Sequence, residues 1–78
     1  NINYNSEKFM KNELTKEKLD HLIQHWITHN KAHSKSFNEW IEKLKIAGFT
    51  NIVNDIHLAS EKMDESTKYL INAKDKLK

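Results

Sequence analysis

Four histidines form a regular ladder in the segment HLIQHWITHNKAH, at His21, His25, His29 and His33. Because an α-helix turns about 100° per residue, side chains four positions apart lie on one side of it, one turn above each other. Two imidazoles in this arrangement can chelate a single divalent ion, as paired histidines do on zinc-binding helices. The chemistry that this spacing allows is metal coordination.

One helix cannot place all four histidines around a single ion, because His21 and His33 lie about 18 Å apart along its axis. We therefore predict His25 and His29 as the central pair of ligands, with His33 and His21 in support. The chain has no Cys, so every ligand must be nitrogen or oxygen. Imidazole with carboxylate suits zinc, nickel, cobalt or copper, and the residue types do not choose among them.

The sequence lacks the residues that catalysis requires. Trp, Ile and Thr separate His25 from His29, so the glutamate that acts as general base in the HExxH motif is missing. The chain has no Cys, no glycine-rich phosphate loop and no Ser beside a base in a recognisable motif. We predict that the protein is not an enzyme.

The composition argues against several kinds of partner. All 13 basic residues are lysine, the net charge is only +2, and acidic residues are interspersed among the lysines. Without arginine or a basic stripe, we expect no nucleic-acid partner. No apolar run approaches the roughly 18 residues of a membrane span, so we expect no membrane partner and a cytoplasmic location. The chain starts with Asn, so we expect it to be a segment of a longer protein, in which an upstream domain is a candidate partner, or else a processed chain.

Hydrophobic spacing predicts a first helix over residues 16–47. Its apolar residues recur every three or four positions in a stripe centred on Trp26. Thr15 is the expected N-cap, and Gly48 suits the left-handed position that follows a helix. The stripe comprises Leu19, Leu22, Ile23, Trp26, Phe37, Trp40, Ile41 and Leu44.

A heptad pattern predicts a second helix over residues 51–77, with Thr50 or Asn51 as its N-cap. The seam of this helix comprises Ile52, Ile56, Ala59, Met63, Ser66, Leu70, Ala73 and Leu77. Because only residues 48–50 connect the two helices, they must form an antiparallel hairpin.

Equal rise on both helices predicts that the numbers of facing residues sum to about 98. This register places Trp40 near Ala59 and Trp26 near Ala73, so that each indole meets a small residue. We therefore expect both tryptophans to anchor the core.

The same register predicts oxygen ligands from the second helix. Tyr69 is expected level with His29, and Glu65 level with His33. Alternatively, His33 is a core-edge residue hydrogen-bonded to Ser66, His29 is half-buried on the flank, and His25 and His21 are solvated. A twofold dimer offers another route to a complete site, because it would bring the same histidine pair from each chain.

Apolar residues outside the predicted seam indicate assembly. A homodimer that packs as a four-helix bundle would cover them, and residues 1–14, as an arm or short helix, are the alternative cover. The predicted fold is all-α, with the hairpin domain over residues 15–78. The off-seam apolar residues are Ile27, Ile46, Leu58, Tyr69 and Ile71.

The stretch HLIQHWITHNKAHSKSFNEWIEKLKIAGF and the acid-rich helix after it resemble small uncharacterised helical domains of archaea and anaerobic bacteria. Those domains carry a similar HW-x2-HN-x2-H core and a hairpin layout, and the resemblance spans residues 19–77. It implies an accessory domain of unknown function and assigns no catalytic residue. The sequence is therefore consistent with two functions. The domain binds a metal ion within a larger protein, or it is a structural, oligomerisation or interaction module whose histidines are incidental.

Overall fold

A computed structural model describes residues 14–78 and contains two long helices joined by a tight turn. The first helix, α1, spans Lys16–Ile46, and the second, α2, spans Thr50–Asp75. The predicted all-α hairpin is confirmed, and the predicted ends are close to the observed ones. The arm or short helix predicted over residues 1–14 lies outside the described residues, except for Leu14.

Local hydrogen bonds set both ends of α1. Thr15 is extended, and its hydroxyl accepts the backbone N–H three residues later at 3.1 Å, as predicted for the N-cap. Gly48 has a φ of 88°, in the left-handed region. Its N–H donates to the carbonyl of Lys45 at 3.1 Å, and that of Phe49 donates to Leu44 at 2.9 Å. This pair of bonds is a Schellman motif, which reverses the chain at the end of α1.

The start of α2 differs from the prediction. Phe49 occupies the N-cap position and makes no side-chain hydrogen bond to the helix. Thr50, one of the two predicted caps, is already the first residue of α2. The physical reason is the compact turn: the carbonyl of Phe49 already accepts the N–H of Ile52 at 3.3 Å.

The face of α1 that packs against α2 is rotated around the helix from the predicted stripe, which was centred on Trp26. Ile27, which was expected to be exposed, is only 3% exposed. Trp26 and Trp40, the predicted core anchors, are 44% and 54% exposed. These three predictions are wrong. The buried residues of α1 are Ile23, Ile27, Ser34 and Ile41.

The width of the apolar stripe explains the error. A helix with one neighbour needs only a narrow seam, whereas a stripe wider than about 100° suits a helix with more than one neighbour. Ile27 and the small Ser34 lie just beyond one edge of the predicted stripe, and this side of α1 packs against α2. The edge that contains Trp26 is left beside the contact.

The seam of α2 is also rotated relative to the prediction. Ser60 and Thr67 are its buried residues. Ile52, Ser66 and Ala73 were predicted on the seam but are exposed. The predicted seam residues Ile56, Met63, Leu70 and Leu77 are half-buried, as are Val53 and Lys74.

Buried hydroxyl groups join the two helices at the centre of the hairpin. The Oγ atoms of Ser34 and Ser60 lie 3.0 Å apart and share a hydrogen bond. The hydroxyl of Thr67 donates to the carbonyl of Met63 within α2 at 2.9 Å. Across residues 14–78, no buried side-chain nitrogen or oxygen lacks a partner. The polar residues of the seam therefore avoid the penalty for unpaired buried groups.

Polar contacts also show the register of the hairpin. The Nζ of Lys74 lies 3.2 Å from a carboxylate oxygen of Asp20, and the numbers of these residues sum to 94, as do those of the serine pair. The amide of Asn30 donates to the hydroxyl of Ser66 at 3.4 Å, with a sum of 96. The predicted sum of about 98 is therefore too large, and α1 faces residues of α2 slightly earlier in the chain than expected.

The outer surface contributes little to the stability of the hairpin. Exposed ion pairs join Lys45 to Glu42 at 3.4 Å and Lys78 to Asp75 at 3.5 Å. Such pairs contribute about 0–1 kcal/mol each, so the seam must supply most of the stabilisation. Within residues 14–78, neither helix combines the length and apolar character needed to cross a membrane.

Replacing Ile27 with Ala should destabilise the hairpin by about 2–4 kcal/mol, because it leaves a cavity between α1 and α2. Ile46→Ala is the matched control, since Ile46 is 88% exposed on the same helix. Urea unfolding of both variants, monitored by circular dichroism, measures the difference. Equal losses of unfolding free energy in the two variants would show that the seam is misplaced.

Candidate metal site

Helix α1 places the rings of three histidines in a row on the outside of the hairpin. The centroids of His25 and His29 are 6.1 Å apart, with the ring planes inclined by 28°. Those of His29 and His33 are 4.4 Å apart, with the planes inclined by 76°. Phe37 extends the row, with its centroid 6.2 Å from that of His33. All three histidines are exposed to solvent.

The closest nitrogen contact in this row joins His29 and His33. Their Nε2 atoms are 2.8 Å apart, which is a hydrogen-bond distance. One ring must donate and the other must accept, so at least one imidazole is neutral. Two rings that both carry a proton on Nε2 could not form this contact. The pair therefore directs two ring nitrogens toward one point on the surface of α1.

This pair needs only a small rearrangement to chelate an ion. Zinc binds imidazole nitrogens at about 2.0–2.1 Å, so two nitrogens at a tetrahedral angle lie roughly 3.3 Å apart. The Nε2 atoms of His29 and His33, at 2.8 Å, would have to separate by about half an ångström. Both side chains are exposed and can turn about their χ angles to do so. The pair supplies two ligands, fewer than the four of a closed zinc site.

The other predicted ligands lie apart from this pair. His21 lines a shallow surface hollow with Glu17 and makes no ring contact within the histidine row. Glu65 points away from the seam and pairs instead with Lys62 at 3.6 Å. Tyr69 is 65% exposed on α2. Among residues 14–78, no group of three or more His, Asp or Glu side chains is arranged to hold an ion.

The rotation of α1 changes where the ladder lies. The alternative reading of the sequence placed His33 at the edge of the core, but His33 is exposed. The buried residues of α1 centre about 75° around the helix from Trp26, which turns the ladder outward by that angle. Ser66, the partner suggested for His33, accepts instead from Asn30.

Sequence reasoning assigned most of one row of residues at spacing seven to the core and missed that this row lies on the flank of α1. Heptad spacing places such residues on one line beside a neighbouring helix, so the signal was present in the sequence. One of its members, Trp40, has the Nζ of Lys43 4.6 Å from its ring centroid. The row comprises Leu19, Trp26, His33 and Trp40.

Comparison with known proteins yields one family and one relative. A family model described as "Domain of unknown function (DUF8180)" matches residues 19–77, which include the whole histidine ladder. An "Uncharacterized protein" of Archaeoglobus fulgidus is 36% identical over 59 residues, which cover 76% of this chain and 94% of the relative. No solved structure matches the chain. The resemblance to a small uncharacterised domain is confirmed, whereas the shared HW-x2-HN-x2-H core stays a prediction.

Replacing His33 with Ala should change the free energy of unfolding by no more than about 0.5 kcal/mol, as is usual for surface positions. The same result is expected for His29→Ala, because both side chains are exposed. Thermal unfolding in the presence of a chelator gives the comparison, with His57→Ala on α2 as the control. A loss above about 2 kcal/mol for His33→Ala would mean that this histidine supports the fold.

Proposed function

This chain belongs to the family described as "Domain of unknown function (DUF8180)", and we propose that it is a non-enzymatic helical domain that binds a divalent transition metal ion. The observation that carries the proposal is the 2.8 Å approach of the Nε2 atoms of His29 and His33. In this role the domain serves sensing, storage or delivery as an accessory part of a larger protein.

Three features of the pair support metal binding. The two nitrogens lie on one rigid helix at the spacing used by chelating histidines. Both rings are open to solvent, so an ion can reach them without unfolding the hairpin. The hydrogen bond between His29 and His33 requires a neutral ring to accept it, and neutral imidazole is the form that binds metal.

Residues His25 and His21 have secondary roles in the proposal. His25 is the next ring of the row, 6.1 Å from His29 between centroids, and can become a third ligand only after its side chain moves. His21 lies one turn further away, near the start of α1. We therefore take His29 and His33 as the central pair, in place of the predicted pair His25 and His29.

A second candidate function is a structural or oligomerisation module, and a specific observation favours it. Trp26 and Trp40 are 44% and 54% exposed on the same flank of α1. Exposed aromatic residues on one helical flank are suited to contact with another protein. In that case the histidines are incidental, and metal affinity distinguishes the two functions.

Calorimetric titration of the full chain with zinc, nickel, cobalt and copper should detect binding of at least one ion with a Kd below about 0.1 mM. The His29→Ala/His33→Ala double variant should bind that ion at least tenfold more weakly, because it lacks both converging nitrogens. Saturating metal should also raise the Tm of the wild type, since only the folded helix presents the pair in register.

His57→Ala is the matched control for this titration. His57 is also an exposed histidine with a partner one turn away, since its Nε2 lies 2.9 Å from a carboxylate oxygen of Glu61. Removing His57 should leave the affinity unchanged. If the double variant binds as tightly as the wild type, or if His57→Ala alone abolishes binding, the site is not at His29 and His33.

Metal affinity should fall in acid solution, because protons compete with the ion for the imidazole nitrogens. Neutral imidazole is the binding form, so the affinity should be greatest near pH 7.5 and should decrease by at least tenfold by about pH 5.5. Titrations at these two pH values in the same buffer test this. A constant affinity would indicate carboxylate ligands, which stay ionised across that range.

A further inference from the structure

The pair of His29 and His33 leaves a bound ion with an incomplete set of ligands. A closed zinc site has four protein ligands, and this pair supplies two. Within residues 14–78, no third His, Asp or Glu joins the pair in a group able to hold an ion. As the described residues are arranged, the remaining positions on the ion are open to water or to ligands from another molecule.

Helix α1 carries a second seam in addition to the one that contacts α2. Its residues alternate spacings of three and four, the pattern by which helices pack against each other. Both histidines of the pair and both exposed tryptophans belong to it. The second seam comprises Leu19, Leu22, Trp26, His29, His33, Ser36, Trp40 and Lys43.

The direction of the second seam is that of a neighbour in a four-helix bundle. Trp26 precedes Ile27 by one residue, so the two seams are rotated by about 100° around α1. In a square arrangement of four helices, each helix meets two neighbours in directions about 90° apart. Ile27 faces α2 and is buried, whereas Trp26 faces the second direction and is 44% exposed.

A twofold axis between His29 and His33 makes the second seam self-complementary. In an antiparallel contact of two α1 helices around that axis, His29 of each copy lies level with the second copy's His33. Trp26 then lies level with the second copy's Ser36, and Leu22 with its Trp40. Each indole meets a smaller side chain, as close packing requires.

The same axis also suits α2. Under the observed register, the level of α1 midway between His29 and His33 corresponds to α2 midway between Lys62 and Ser66. On the flank of α2 that faces the second copy, residues recur at alternating spacings of three and four. The twofold axis places no two like charges of this flank directly opposite each other. That flank comprises Ile52, Asp55, Ala59, Lys62, Ser66, Tyr69 and Ala73.

We propose that a second copy of the chain docks on the second seam and that His29 and His33 of both copies bind one shared metal ion. This inference rests on the proposed function and specifies how its site is completed. Four imidazole nitrogens around a twofold axis form the tetrahedral set that zinc and cobalt favour.

The exposed indoles of the second seam supply only part of the area of a specific interface. The exposed parts of Trp26 and Trp40 amount to about 250 Å² per copy, with about 250 Å² for a whole indole. Two copies thus contribute roughly half of the 1,000 Å² that a specific interface requires. The indoles alone therefore fall short of a full interface, and we expect the shared ion to strengthen the dimer.

The test is to measure mass and metal content together on the full chain. With a chelator, sedimentation should report the 9.3 kDa monomer at micromolar concentration. With zinc or cobalt, it should report about twice that mass, with one ion per two chains. Tetrahedral cobalt gives an intense visible absorption band, which should appear together with the dimer.

Variants of the second seam separate docking from ligation. Trp26→Glu and Ser36→Arg are made as separate single variants. Each leaves both histidines in place but should abolish the dimer and weaken metal binding by at least tenfold. Ser36 is exposed, so its replacement does not disturb the hairpin. Ile46→Glu is the control, because Ile46 is 88% exposed and lies about 120° around α1 from Trp40.

Four outcomes would contradict the shared site. If a monomer binds one ion per chain through His29 and His33, the proposed function stands and the shared site is wrong. If no ion binds at these histidines, both proposals fail. A dimer that forms equally with and without metal overturns the shared ion. If Phe9→Ser shifts the tryptophan emission of a metal-saturated monomer to longer wavelength, the N-terminal residues cover the seam instead.

Discussion

The hydrogen bond between Ser34 and Ser60 determines how the two helices meet. Both hydroxyls are buried, and turning α1 about its axis would leave the Ser60 hydroxyl in the seam without this partner, at a cost of about 1–3 kcal/mol. The small side chains also allow the helices to approach closely at the middle of the hairpin. Because α1 is a single continuous helix, this one contact sets the direction of every other residue on it: Ile27 points inward and Trp26 to the side.

The candidate site depends on the same constraint. Ser34 follows His33 directly, so the histidine pair lies at the level where α1 is most firmly held. Side chains that project from a supported helix keep their relative positions better than those on a loop. The seam leaves only the outer side of α1 for the ring row, and the row is therefore accessible to solvent and to another chain.

Local patterns in the sequence predict most of the fold and only part of the site. Thr15 and Gly48 act over a few residues, and both occupy the predicted positions. The facing of α1 could not be predicted in the same way, because its apolar stripe is wider than the contact with α2. Whether Ile27 or Trp26 packs against α2 depends on the positions of the small polar residues of α2. The closeness of His29 to His33 follows from side-chain rotation, which residue spacing does not determine.

The tight turn at Gly48 has a consequence for the order in which the hairpin forms. Contacts next to the turn close short loops, and each contact further out closes a longer one at slightly greater entropic cost. Contacts between the helices should therefore form first near Gly48 and last at the ion pair of Asp20 and Lys74. They should open in the opposite order. Amide hydrogens should exchange fastest at that open end and progressively more slowly toward the turn. An ion bound by the histidines would stabilise the middle of the hairpin. Opening that starts at the free end would then stop there, before it reaches the turn.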